Sequence, residues 1–138
     1  MKKIFILAAV IATIGVGLFA MKDKIFGVTY SDGVYEGAYQ AGDGANTKVV
    51  LTLKNNRIVA CVLEARDALG NIKDENYGKG GSAEDYRRAQ LSVREMKKYP
   101  DLLVEAQDMD KVDSISGATV TYRAMQFAVH EALKKARQ

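Results

Sequence analysis

Asn55-Asn56 stands between two β-rich runs, Lys48–Lys54 and Arg57–Glu64, and no other part of the chain constrains the fold so tightly. A two-residue hairpin turn needs positive φ at its centre, which asparagine tolerates, so the two runs should return antiparallel on one another. Upstream, Gly33–Gln40 carries Val34-Tyr35-Glu36-Gly37-Ala38-Tyr39 and reads as a further strand. Gly42-Asp43-Gly44-Ala45-Asn46 is the turn that joins it to the hairpin.

Beyond the hairpin the hydrophobic period changes from that of strands to that of helices. Ser82 can cap a helix with Asp85 answering three residues on, and Tyr86, Ala89, Val93 and Met96 share one apolar face. Pro100 suits the first turn of a second short helix carrying Leu102, Leu103, Val104 and Ala106. After a loop at Asp108–Gly117, a last helix is expected from about Ala118 to Arg137. Its core stripe is Met125, Ala128, Val129, Ala132, Leu133 and Ala136, and Lys134, Lys135 and Arg137 suit its carboxyl end. Strands first and helices afterwards predict a small α+β domain built on an antiparallel sheet. Between hairpin and helices, Asp67–Gly81 is a polar, glycine-bearing loop of 15 residues, a length usually functional or disordered.

The start of the chain has a different character. Ile4–Met21 is 18 residues with 15 apolar members and no charge. As a helix it would span about 27 Å, just short of a hydrocarbon core of about 30 Å. Lys2 and Lys3 precede it, which keeps the amino end cytoplasmic and places the rest outside. Leu18-Phe19-Ala20 offers only one of the small residues that signal cleavage wants, so a retained anchor is favoured over a cleaved signal peptide. The expected organisation is a single transmembrane helix at 1–21, a linker at 22–32 and a domain at 33–138 on the extracytoplasmic side of the cell membrane.

Several functions are excluded. The 48% hydrophobic content is that of a globular chain even after the apolar run is set aside. From Ser31 onward there are 16 basic and 16 acidic residues, and a neutral domain has no electrostatic footprint for nucleic acid. Cys61 is the one cysteine, so it can form no internal disulfide; in its apolar stretch it reads as a buried small hydrophobe. Gly78-Lys79-Gly80-Gly81-Ser82 hints at a phosphate loop, but Lys73 and Gly80 stand where the pattern requires glycine and a hydroxyl. Asp108, Asp110 and Asp113 lack the glycine and closing glutamate of a calcium loop. His130, the sole histidine, is followed by Glu131 but completes no metal-binding helix pattern. No catalytic constellation emerges.

One stretch carries chemistry: Asp113-Ser114-Ile115-Ser116-Gly117-Ala118-Thr119, running into Val120-Thr121. An acid, three hydroxyls and a glycine stand immediately before a strong helix, whose free N–H groups are a natural anion site. Two readings are open on physics alone. Either Ser116 caps the helix while Asp113 satisfies the loop, or the turn holds a phosphate.

The same residues resemble the flavinylation motif of FMN-binding domains, Asp-x-x-(Ser/Thr)-Gly-Ala-(Thr/Ser), and Gly33-Val34-Tyr35-Glu36-Gly37 resembles the opening strand of that family. Similar domains occur in the C subunit of the sodium-pumping NADH:quinone reductase, in the G subunit of the Rnf complex and in anchored proteins of extracellular electron transfer. The resemblance implies FMN held covalently through a phosphodiester to Thr119, installed from FAD by an ApbE-type flavin transferase using magnesium. Asp113, Ser116, Gly117 and Ala118 would form the surface the transferase reads. Tyr77 and Tyr122 are candidates for stacking on the ring; Tyr122 stands where many family members carry a small polar residue. The implied protein is a membrane-anchored electron carrier, rather than a stand-alone enzyme, working between a membrane electron donor and an extracytoplasmic acceptor. The rival expectation is a tethered module that binds a small anionic ligand reversibly and carries no electrons.

Overall fold

The structure, a computed structural model, describes residues 28–138. The apolar run Ile4–Met21 and most of the expected linker lie outside the described residues. Among the described residues no helix is long and apolar enough to cross a membrane.

Strands β1 (Gly33–Gln40), β2 (Asn46–Lys54) and β3 (Arg57–Arg66) form one antiparallel sheet in the order β1-β2-β3. The hairpin turn is as the sequence predicts, with Asn55 at φ 52° and Asn56 at φ 62°. A bulge at Thr52/Leu53 leaves Val59 as an extra residue on β3, which swings Ile58 inward opposite Leu53. Alternation does the rest on β2. Thr47, Val49, Leu51 and Leu53 point into the core, and the residues between them point away.

Helices α1 (Ala83–Met96), α2 (Tyr99–Ala106) and α3 (Thr119–Ala136) follow, with a 3₁₀ turn at Met109–Lys111 inside the expected loop. Ser82 caps α1 by accepting from Asp85 N–H at 3.1 Å. Val93 and Met96 of the expected α1 face are buried, and Tyr86 and Ala89 are half-buried. Helix α2 packs against β3. Gln107, left-handed at its end (φ 65°), turns its side-chain amide onto Ile58, accepting from its N–H at 2.8 Å and donating to its carbonyl at 2.8 Å. The side chain thus occupies part of the β3 edge in place of a fourth strand.

Helix α3 lies across β1 and β2 on the stripe expected of it: Met125, Ala128, Val129, Ala132 and Ala136 are buried and Leu133 half-buried. Its small residues allow close approach to Gly37, where a built Cβ would fall 1.9 Å from the Ala128 carbonyl oxygen. The chain enters the domain at the far end of this helix. Ser31 N–H donates to Ala136 O at 2.8 Å, Gln138 N–H to Thr29 O at 3.0 Å, and Tyr30 bridges Arg137.

Candidate functional site

The segment before α3 is a braced turn. Ala118 N–H donates to Ile115 O at 2.9 Å, closing the turn around Ser116 and Gly117. Gly117 has φ +91°, and a Cβ there would meet only ordinary contact with Leu91, at 3.7 Å. Backbone conformation, not space, is what requires glycine at this position. The Tyr99 hydroxyl holds both ends of the turn, accepting from Ile115 N–H at 2.9 Å and donating to Ala118 O at 3.0 Å. Tyr99 is 0% exposed, and burial pushes its phenol above the usual value against the opposing effect of the Ile115 hydrogen bond. This residue was not singled out by the sequence. Its contacts reach across 16 and 19 positions to backbone atoms and leave no periodic signal.

Ser116 does not cap α3. The residue at the cap position is Ala118, and among the described residues no side-chain cap hydrogen bond is made at the helix start. The first helical bond runs from Tyr122 N–H to Ala118 O at 3.1 Å, ahead of which Thr119, Val120 and Thr121 present their N–H groups. Asp113, Ser116, Gly117 and Thr119 are exposed, while Ala118 is buried beneath them. The turn therefore offers hydroxyls outward and donors along the helix axis. The neighbouring threonine, Thr121, is only 3% exposed and lines the wall of a cleft beside the helix.

Two nearby acids, Asp108 and Asp110, are engaged in local structure. Asp108 caps the 3₁₀ turn by accepting from Asp110 N–H at 2.9 Å, and Asp110 lies 3.4 Å from His130 Nε2.

Two clefts flank this part of the molecule. One, about 390 Å³, lies beside the start of α3 and includes Val120, Arg123 and Phe127 of that helix, with Tyr39 from β1 and Lys73 from the long loop. The other, about 640 Å³, lies between the long loop and α1 and includes Tyr77, Asp67 and Gly78–Gly81. Gly78 has φ +91°, and a Cβ there would stand 2.6 Å from the Ala89 methyl, so both conformation and close packing against α1 call for glycine.

The sequence model of the FMN-binding domain matches residues 12–134. The chain belongs to the FMN-binding domain family. The crystal structure of the CPE2226 protein from Clostridium perfringens has a similar fold, with a TM-score of 0.61 at 18% identity over 78% of this chain and 89% of that one. No curated protein sequence matches the chain significantly.

The residues present fit FMN at both of its ends. The free N–H groups and outward hydroxyls at the start of α3 suit its phosphate. The adjoining 390 Å³ cleft, of a size with small-molecule sites at ~300–1,000 Å³, combines aromatic and basic side chains that suit a flat ring with polar edges.

Of the expected FMN-binding residues, Asp113, Ser116, Gly117, Ala118 and Thr119 lie together in the braced turn. Tyr122 is turned inward, with its ring 5.8 Å from that of Tyr99 and its hydroxyl accepting from Gln126 at 3.1 Å. Tyr77 lines the other cleft, where burial and the Asp67 carboxylate raise its phenol, and Lys73 Nζ lies 5.9 Å from its ring centroid. Val120, Arg123, Ala124 and Phe127 had a readable signal: they repeat at helical spacing on the face of α3 that the core stripe leaves unused.

Proposed function

We propose that this FMN-binding protein is a membrane-anchored, extracytoplasmic electron carrier that holds FMN covalently through a phosphodiester to Thr119. The observation that carries the reading is the pairing of an exposed Thr119 with an α3 amino terminus that no side chain caps. The phosphodiester retains one negative charge, and that charge lies where the helix favours it by about 0.3–1 kcal/mol.

Thr119 is the substrate of a second enzyme, a flavin transferase of the ApbE type. Its Oγ forms a bond to the flavin-side phosphorus of FAD as the pyrophosphate bond to AMP breaks. AMP leaves, and the hydroxyl proton passes to the transferase. No base in this chain is needed, in keeping with a motif that has no histidine or lysine beside Thr119. Asp113, Ser116 and Gly117 are outward and available to the transferase, and Tyr99 keeps the turn in one shape for it.

FMN supplies one- and two-electron chemistry when bound. The protein supplies retention: outside the cytoplasm a dissociated cofactor is lost to dilution, whereas a tethered one stays at high effective concentration. The uncharged balance of the domain and the apolar run at residues 4–21 support a carrier that works at a membrane surface between a membrane donor and an outer acceptor.

The test is the intact mass of the full chain co-expressed with a flavin transferase. A gain of about 438 Da, one FMN less water, on the Thr119 peptide is the expected result. An unchanged mass beside a labelled control substrate would replace this reading with that of a reversible anion-binding module.

A further inference from the structure

The cleft beside Thr119 has a composition that the acceptor role alone does not explain. Val120 is 81% exposed and Phe127 57% exposed, so an apolar strip continues from the acceptor along the outer face of α3. The strip covers about 12 Å of helix between positions 119 and 127. It ends on an aromatic stack, Tyr39 on Phe127, with ring centroids 4.7 Å apart and planes 18° from parallel. Basic groups are set into the same cleft: Arg123 on the strip itself, with Arg66 and Lys73 from across it. Arg66 is paired to Glu64 at 2.9 Å, but Lys73 and Arg123 have no carboxylate partner among the described residues. Among the described residues no acid lines the cleft. Two cations without a carboxylate partner, Arg123 and Lys73 (the latter with its ammonium 5.9 Å from the Tyr77 ring centroid), beside an open apolar strip suit a ligand that is flat, largely apolar and capable of gaining negative charge.

We propose that this cleft seats the flavin ring and that Lys73 and Arg123 raise its reduction potential. The inference rests on attachment at Thr119 and goes beyond it, since attachment fixes the phosphate and says nothing of where the ring lies. Reduction of a flavin by two electrons from an external donor with uptake of one proton leaves one added negative charge on the ring. Positive side chains nearby favour the reduced form over the oxidised one, and in a half-open cleft their effect falls as salt screens it. Val120, Ala124 and the Tyr39–Phe127 pair give the ring an apolar floor and an end wall.

The experiment uses the full chain loaded by a flavin transferase, with loading read by intact mass and dithionite as the reductant in a redox titration. Lys73→Gln and Arg123→Gln should each lower the midpoint potential of the loaded fraction, and the double variant should lower it further. Raising the salt concentration should shrink the gap between the double variant and the parent. Lys54→Gln, which removes one positive charge at the hairpin outside the cleft, should leave the potential in place. Phe127→Ala, a change at a half-exposed side chain, should weaken the visible circular dichroism of the bound flavin. A loaded double variant with the parent's potential, or a Phe127→Ala protein with the parent's dichroism, overturns the seat while leaving attachment intact. A parent chain that gains no mass overturns the attachment and the seat together.

Discussion

Gly37 of β1 faces the Ala128 carbonyl of α3 so closely that a methyl group on Gly37 would stand 1.9 Å from that oxygen and 2.6 Å from Ala132 N. Both obstacles are backbone, which cannot rotate aside as a side chain can. Gly37→Ala should therefore push α3 off the sheet. Overpacking of this kind costs about 1–3 kcal/mol, and about 4–8 °C in Tm per kcal/mol for a domain of this size. A thermal melt of the purified variant checks it, and an unchanged Tm would show that the helix sits further from β1 than described.

Tyr99→Phe keeps the ring in the core and removes only the hydroxyl that bridges Ile115 and Ala118. A part-buried N–H left without an acceptor costs about 1–3 kcal/mol, which urea unfolding would read directly. Flavin transfer to Thr119 should slow in the same variant, because the turn presented to the transferase loses its brace.

The two hydroxyls near the helix start should behave oppositely. Thr119 is exposed at the first helical position and Thr121 is buried within the next turn's packing. Thr119→Val should abolish the flavin mass gain, whereas Thr121→Val, nearly the same shape, should retain it. A gain that survives on Thr119→Val would move the acceptor elsewhere.

Cys61 sits half-buried against the core, and desolvation pushes its thiol from 9.0 up to about 12. The thiolate is the reactive form, so iodoacetamide at pH 8 should leave the native protein unmodified and label it once urea unfolds it. The sign of the pH effect follows from the same shift. A raised folded-state value contributes stability that is whole below pH 9 and lost as pH climbs towards 12. Tyr99, also raised by burial, acts in the same direction above its ordinary value of 10.0. Denaturation midpoints should hold steady through neutral pH and fall on the alkaline side.

What could be read in the sequence was whatever a local pattern dictates. Positive φ at Asn55-Asn56, the Ser82–Asp85 cap and the α3 stripe each depend on residues within a turn or two of one another, and all three appear where expected. The motif turn was legible as chemistry, but its cap was not. Ser116 looked like the capping hydroxyl, yet Gly117 at φ +91° carries the backbone past it, and Ala118 becomes the cap residue. Contacts between distant polar groups and backbone left no trace in any period. Gln107 completes the β3 edge from 49 residues away, and Tyr99 reaches the motif from another helix. Nor could spacing alone bring Lys73 of the long loop into the same cleft as Arg123 of α3.

The chain also enters the domain at the end of α3 opposite the motif turn. Residues 29–31 are fastened to the carboxyl end of α3, and Thr119 opens its other end, 18 residues and about 27 Å away. In an anchored protein the root of the tether and the redox head would then sit at opposite poles of a single rod. Standing upright, such a rod presents its head to partners beyond the membrane; lying down, it brings the head to partners within it. Shuttling between donor and acceptor would then be a matter of tilt.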